Sequence, residues 1–218
     1  MSQHTLTLLR FTYKKLKEKL TVSDSKKLFH EQFPYVIPGL YKRIVDEMLV
    51  ELNLLNHQNE FTQENFFCVG LTETFKELMK GYKPEKHLDL LFESLCSSTN
   101  FEANEIKIVS QKSQKEFKDK KSNDILKILK EKGTSKLYPS RILNLGIYTI
   151  MSNSPDLKGG NESDTNKIIS DIFEKLNLSS NKAEKDIGIY KSTISKMEQA
   201  KELIEELKIK DKKKDKKQ

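Results

Sequence analysis

Beyond Pro38 the apolar residues recur at helical spacing, and this pattern limits the fold more than any other feature of the chain. Tyr41, Ile44, Met48, Leu52 and Leu55 are separated by steps of three, four, four and three. Such steps stack side chains on one face of an α-helix. Val45 and Leu49 widen that face until it must be covered by other helices. Lys42, Arg43, Asp46, Glu47 and Glu51 occupy the remaining surface. Lys42–Asp46 and Arg43–Glu47 stand four apart, where opposite charges meet for ~0.3 kcal/mol a pair. Upstream, Ser23 or Asp24 is placed to cap a shorter helix that carries Leu28, Phe29 and Phe33 and closes at Pro34. A helix, a proline-bounded turn and a longer helix make a hairpin, the nucleus of an all-helical domain.

The rest of the chain repeats the pattern. A third helix is expected over about 63–80, with Phe67, Leu71, Phe75 and Leu78 inward and Gly81 after its end. Pro84 opens a fourth helix that buries Leu88, Leu91, Phe92 and Leu95. Ile106 and Val109 face a core, whereas 111–123 is nearly all polar and reads as an exposed helix or a mobile link. Ile125, Leu126, Ile128 and Leu129 restore apolar density before Gly133. A helix over 138–153 turns Ile142, Leu143, Gly146, Ile147 and Ile150 inward. Glycine inside a helix costs about 1 kcal/mol relative to alanine, so Gly146 predicts the close approach of another helix. A loop with Pro155, Gly159 and Gly160 precedes a short helix over 165–176. From about 182, Ile187, Tyr190, Ile194 and Met197 form a seam of coiled-coil type, which Ala200, Ile204 and Leu207 continue after an extra step of three.

The expected fold class is therefore all-α: one bundle of roughly seven to nine helices with a long, partly coiled-coil-like C-terminal helix. The organisation read from the sequence is a basic N-terminal extension (1–20), a helical bundle domain (21–181), a C-terminal amphipathic helix (182–207) and a disordered lysine-rich tail (208–218). Within the extension, Leu9, Tyr13, Leu16 and Leu20 suit a short helix on the bundle or on a membrane surface.

Charge is segregated. The chain carries +7 overall, of which residues 1–20 hold +4 and 208–218 hold +5, leaving −2 for the middle. A nucleic-acid binder presents a basic face on the fold itself, so nucleic acid is not the favoured partner; a lysine tail equally suits an anionic membrane surface. No apolar run reaches the ~20 residues of a membrane span, and the N-terminus has no secretory apolar core, so the chain is expected to stay in the compartment where it is made. Cys68 and Cys96 stand in no metal or redox spacing and read as buried, reduced thiols. The four histidines are scattered, and Asp46, Glu47 and Glu51 lack the Glu-x-x-His partners of a di-metal bundle. Gly159-Gly160 is followed by no Gly-Lys-Ser/Thr, and no serine sits in a nucleophile elbow. Neither a catalytic residue, a metal nor a cofactor is expected.

Five blocks resemble a known family in order. They are TVSDSK (Thr21 to Lys26), IPGLYKRIVDEMLVELNLL (Ile37 to Leu55), GLTETFKELMKGYKPE (Gly70 to Glu85), YPSRILNLGIYTI (Tyr138 to Ile150) and KDIGIYKSTISKMEQAKE (Lys185 to Glu202). These resemble the thylakoid-formation proteins of cyanobacteria and plant chloroplasts, also described as photosystem II biogenesis accessory factors. The family's members often begin near the first block, so residues 1–20 depart from the pattern.

The resemblance implies a non-catalytic accessory factor in thylakoid organisation and in photosystem II biogenesis and repair. It implies binding and stabilisation of membrane-bound FtsH protease complexes or of photosystem II assembly intermediates. The expected place is peripheral, on the cytoplasmic side of the thylakoid membrane, or soluble in the cytoplasm. Candidate protein-contact residues are Arg43, Glu47 and Glu51 on one helix and Tyr190 and Met197 on the C-terminal arm; ion pairing within the fold is the competing reading of the first three. Lys212, Lys213, Lys214, Lys216 and Lys217 are the membrane-surface candidates. The alternative is a basic-tailed helical protein that binds nucleic acid or ribosomes.

Overall fold

The computed structural model describes residues 19–131 and 137–215, with side-chain surroundings through 207. The described residues form helices and no strand: α1 Val22–Gln32, α2 Gly39–Asn56, α3 Asn65–Leu78, α4 Leu88–Ser97, α5 Ala103–Phe117, α6 Ser122–Glu131, α7 Arg141–Ser152, α8 Glu162–Lys175 and α9 Ser180–Asp215. A 3-10 turn, Glu85–His87, lies between Pro84 and α4, so Pro84 does not open the α-helix directly.

Helix ends follow local chemistry. Thr21, rather than Ser23 or Asp24, caps α1. Its hydroxyl accepts from the Asp24 N–H at 3.2 Å, and the Asp24 carboxylate accepts from the Thr21 N–H at 3.1 Å. This reciprocal box satisfies two otherwise orphaned donors. Asn161 caps α8 by accepting from Ser163 N–H at 3.1 Å, which starts that helix three residues before the expected Thr165. The polar run 111–123 is neither wholly exposed nor a link. Its first part completes α5, where Ser113 and Phe117 are buried. Ser113 returns its hydroxyl to the Val109 carbonyl at 2.8 Å, so a small polar residue packs without an orphaned donor.

α3 is the hub. Phe66 to Leu71 are buried without interruption, so this part of the helix is covered on all sides; its neighbours are α7, α5 and in part α9. Its closest neighbour is α7. A Cβ on Gly70 would lie 1.9 Å from the Ile142 carbonyl oxygen, and one on Gly146 1.8 Å from that of Phe66. Two glycines facing across the pair thus let the backbones touch, the close approach that Gly146 predicted. One apolar cluster gathers α1, α2, α4 and one side of α3 with Ile106, Ile142 and Met197. A second gathers α6, α7, α8 and the start of α9 with Phe66 and Val69. Tyr190 packs against both.

α9 is 36 residues long, about 54 Å at 1.5 Å per residue. Ala183 and Ile187 seat its start in the second cluster and Met197 seats it in the first. The seam of coiled-coil type is used within the chain, against the bundle. The helix continues past Leu207, where the sequence placed its end, to Asp215.

Candidate functional site

α2 and α9 flank a cleft whose floor is α3 and α7. Its inner part is lined by Ile44, Glu47, Met48 and Glu51 from α2, Leu78 from α3, Arg141 and Leu145 from α7, and Ile189 and Tyr190 from α9. This inner part is narrow, about 40 Å³, and beside it lies a broader groove of about 570 Å³ bordered by Val50, Leu54, Tyr138 and Lys182. Glu47, Glu51 and Arg141 line both parts, so the two adjoin at these side chains. Its lips are apolar and wet: Leu54 is 53% exposed and Ile189 51%.

One ion pair organises the floor. Arg141 reaches Glu51 Oε2 with Nε at 2.9 Å and Nη2 at 2.5 Å. Glu51 is mostly buried, and burial holds its carboxyl above the usual carboxylate range although Arg141 draws it down. The pair bridges α2 to α7. Three residues on from Arg141, Asn144 donates to Asp186 at 2.8 Å, bridging α7 to α9. The two walls are thus pinned to the same floor helix by residues that share one of its faces.

The structure brings together three of the five residues singled out for protein contact: Glu47, Glu51 and Tyr190. Arg43 stands outside on the exposed face of α2, paired to Glu47 at 2.8 Å. Glu51 is not on an open helix face; its partner comes from another helix. Met197 is a correction. It is 5% exposed and part of the first cluster, because α9 is still packed there, and so it offers no surface to a partner. Lys212, Lys213 and Lys214 lie on the α9 backbone, in the part whose side-chain surroundings are outside the described residues, as are Lys216 and Lys217 altogether.

Sequence reasoning missed Arg141, Leu54 and Ile189. A signal existed for the first: it is the one charged residue between Tyr138 and Ile150, and a lone charge in an apolar helix asks for a partner. Leu54 and Ile189 carry no such mark, since their exposure depends on two helices failing to meet.

Among the described residues no helix is long and apolar enough to cross a membrane, and no three His, Cys, Asp or Glu gather as a metal ion would require. Cys68 and Cys96 are free and buried, and burial pushes each thiol up to about 12.

Comparison with known proteins places the chain. The family model described as thylakoid formation protein matches residues 21–218. Protein Thf1 of Prochlorococcus marinus (strain MIT 9312) is 80% identical over 199 residues, covering 91% of this chain and 99% of its own length. Protein Thf1 of Prochlorococcus marinus subsp. pastoris is 72% identical over 202 residues, covering 93% and 100%. A solved structure described as that of Psb29 shares the fold, with a TM-score of 0.78 at 24% identity over 91% of this chain and 100% of that one. The chain belongs to the thylakoid formation protein family.

Proposed function

We propose that the chain is a non-catalytic accessory factor of thylakoid organisation and of photosystem II biogenesis and repair. It acts peripherally on the cytoplasmic side of the membrane, by docking a helix of a membrane-bound FtsH protease complex in the α2–α9 cleft. The carrying observation is that four blocks, widely separated in the chain, converge on this cleft. Glu47 and Glu51, Leu78, Arg141, and Ile189 and Tyr190 come from the blocks at 37–55, 70–85, 138–150 and 185–202. A groove with apolar lips, a narrow apolar interior and fixed charges is the form in which helical proteins receive an amphipathic helix. Its border is mixed in charge, with Asp46, Glu47 and Glu51 set against Lys26, Arg141 and Lys182, which suits a partner helix that carries charges of both signs beside its apolar face.

The test is co-purification of FtsH complexes from solubilised thylakoid membranes with the full chain and with Leu54→Asp and Ile189→Asp variants. Both side chains are exposed, so the variants keep the fold and its melting temperature. An aspartate on either lip is expected to lower recovery of the complex at least about tenfold, the scale of a central apolar contact. Undiminished recovery with both variants, or no recovery with the unaltered chain, overturns the reading.

A further inference from the structure

We propose that one end of the bundle is a contact surface for an anionic lipid bilayer, built from the Tyr35–Val36 loop, the turn at 80–87 and the outer part of α9. Three segments meet there. Tyr35 stacks on His87 with ring centroids 3.9 Å apart, joining the loop before α2 to the 3-10 turn. Tyr41 donates its hydroxyl to the Lys80 carbonyl at 3.1 Å. The Lys201 ammonium lies 5.9 Å from the Tyr41 ring, and its aliphatic chain passes 3.6 Å from where a Cβ on Gly81 would stand. α9 therefore leaves the bundle at this end, and the fourteen residues from there to Asp215 carry it about 21 Å further.

Apart from Tyr35, whose ring packs on His87 and Phe33, the apolar groups exposed at this end lie outside both clusters. Val36 is 94% exposed, held out between Pro34 and Pro38, beside a half-exposed Tyr35. On α9, Leu203 is 58% exposed, and Ile204 and Leu207 are exposed with it. At about 3.6 residues per turn these three share one side of the helix, and Glu202 and Glu205 fall on the other. The apolar groups sit on two separate elements, an arrangement that a fluid planar surface accepts and a single protein pocket does not; Glu202, Glu205 and Glu206 border those on α9, and the lysines stand in the turn and beyond Leu207.

Charge points the same way. Lys80, Lys83 and Lys86 stand in the turn, where Glu77 pairs with Lys80 and Glu85 with Lys83. Beyond α9's exposed leucines, residues 208–218 add seven lysines against two aspartates. Lysines at an anionic surface strengthen partitioning by about fivefold each. Tyrosine and short apolar side chains enter the headgroup region beneath them. The tail by itself would give a diffuse attraction; the loop and the leucines give that end a depth and an orientation.

The test is flotation of the full chain with phosphatidylcholine vesicles, with and without phosphatidylglycerol, at low and high salt. Binding is expected only with phosphatidylglycerol and is expected to be released by salt. Val36→Asp and Leu203→Asp, both at exposed positions, are each expected to lower partitioning at least about tenfold, the scale of burying one such side chain. Ile168→Asp, on the exposed face of α8, is the control and is expected to bind as the unaltered chain does. Three results each overturn the proposal: no dependence on phosphatidylglycerol; loss that is equal for Ile168→Asp; or retention by both Val36→Asp and Leu203→Asp, which would leave the tail acting alone. The cleft variants separate the two proposals, because Leu54→Asp is expected to float normally.

Discussion

Replacing Gly146 by alanine sets two effects against each other, and the structure decides the sign. In an isolated helix the change is favourable by about 1 kcal/mol. Here the new methyl would lie 1.8 Å from the Phe66 carbonyl oxygen, 2.8 Å from its carbon and 2.9 Å from the Gly70 nitrogen. All three obstacles are backbone atoms of α3, so no rotamer change relieves the contact. α7 must move away by more than ~1 Å, and a gap of that size forfeits up to half of each dispersion contact along the interface. Overpacking of this kind costs about 3 kcal/mol, the upper end of the usual range. The net expectation is a loss of about 2 kcal/mol, or a fall in melting temperature of about 4–8 °C for a chain of this size. Gly188→Ala is the matched control: it too is helical, but nothing lies within 4 Å of its Cβ position, and it should raise stability by up to about 1 kcal/mol. Thermal and urea unfolding followed by circular dichroism reads both. The double variant Gly70→Ala/Gly146→Ala should lose less than the sum of the singles, because helices already parted by one methyl admit the second. A Gly146→Ala protein as stable as the parent would refute the reasoning.

Three further outcomes follow from the packing. Met197→Ala should cost about 2–4 kcal/mol in urea unfolding, as a core truncation does, whereas Leu203→Ala should stay within about 0.5 kcal/mol. Burial pushes the Asp156 carboxyl up, but the hydrogen bonds it accepts from the Ser122 N–H and hydroxyl, at 2.9 and 2.6 Å, outweigh this and hold it below its usual range. A lowered carboxylate stabilises the fold above its unfolded-state value and loses that contribution as pH falls through the folded one. Asp156→Asn, which keeps the size but can accept at only one oxygen, should therefore lower stability at neutral pH, with the difference closing in acid. Cys68 and Cys96, buried and with thiols pushed up to about 12, should react with thiol reagents only as fast as the protein opens.

The helical core was legible because its signals are local and periodic. The face Tyr41, Ile44, Met48, Leu52 and Leu55 is buried as its spacing requires, and Gly146 announced a neighbour by its unfavourable propensity. Caps were less legible: TVSD holds two reciprocal partners, Thr21 and Asp24, and Ser23 offers the same capping chemistry from inside the first turn. Met197 was misplaced because a seam repeating every three to four residues reads the same whether it meets the bundle or a second helix. The site was the hardest part. Glu47 and Glu51 were marked on α2 and Tyr190 on α9, but their meeting depends on Arg141 and on the distance α3 and α7 set between two walls. That distance is a tertiary quantity, so the wet lips at Leu54 and Ile189 had no counterpart in periodicity or charge.

The central claim is that the α2–α9 cleft receives a partner helix, and site-directed photocrosslinking tests it most directly. A benzophenone side chain placed at Leu54, Ile189 or Ile168 of the full chain would be irradiated in thylakoid membranes and the adducts identified by mass spectrometry. The account predicts that the two cleft positions trap one and the same FtsH subunit and that Ile168, on α8, does not. Equal trapping from Ile168, or none from either side of the cleft, would contradict it.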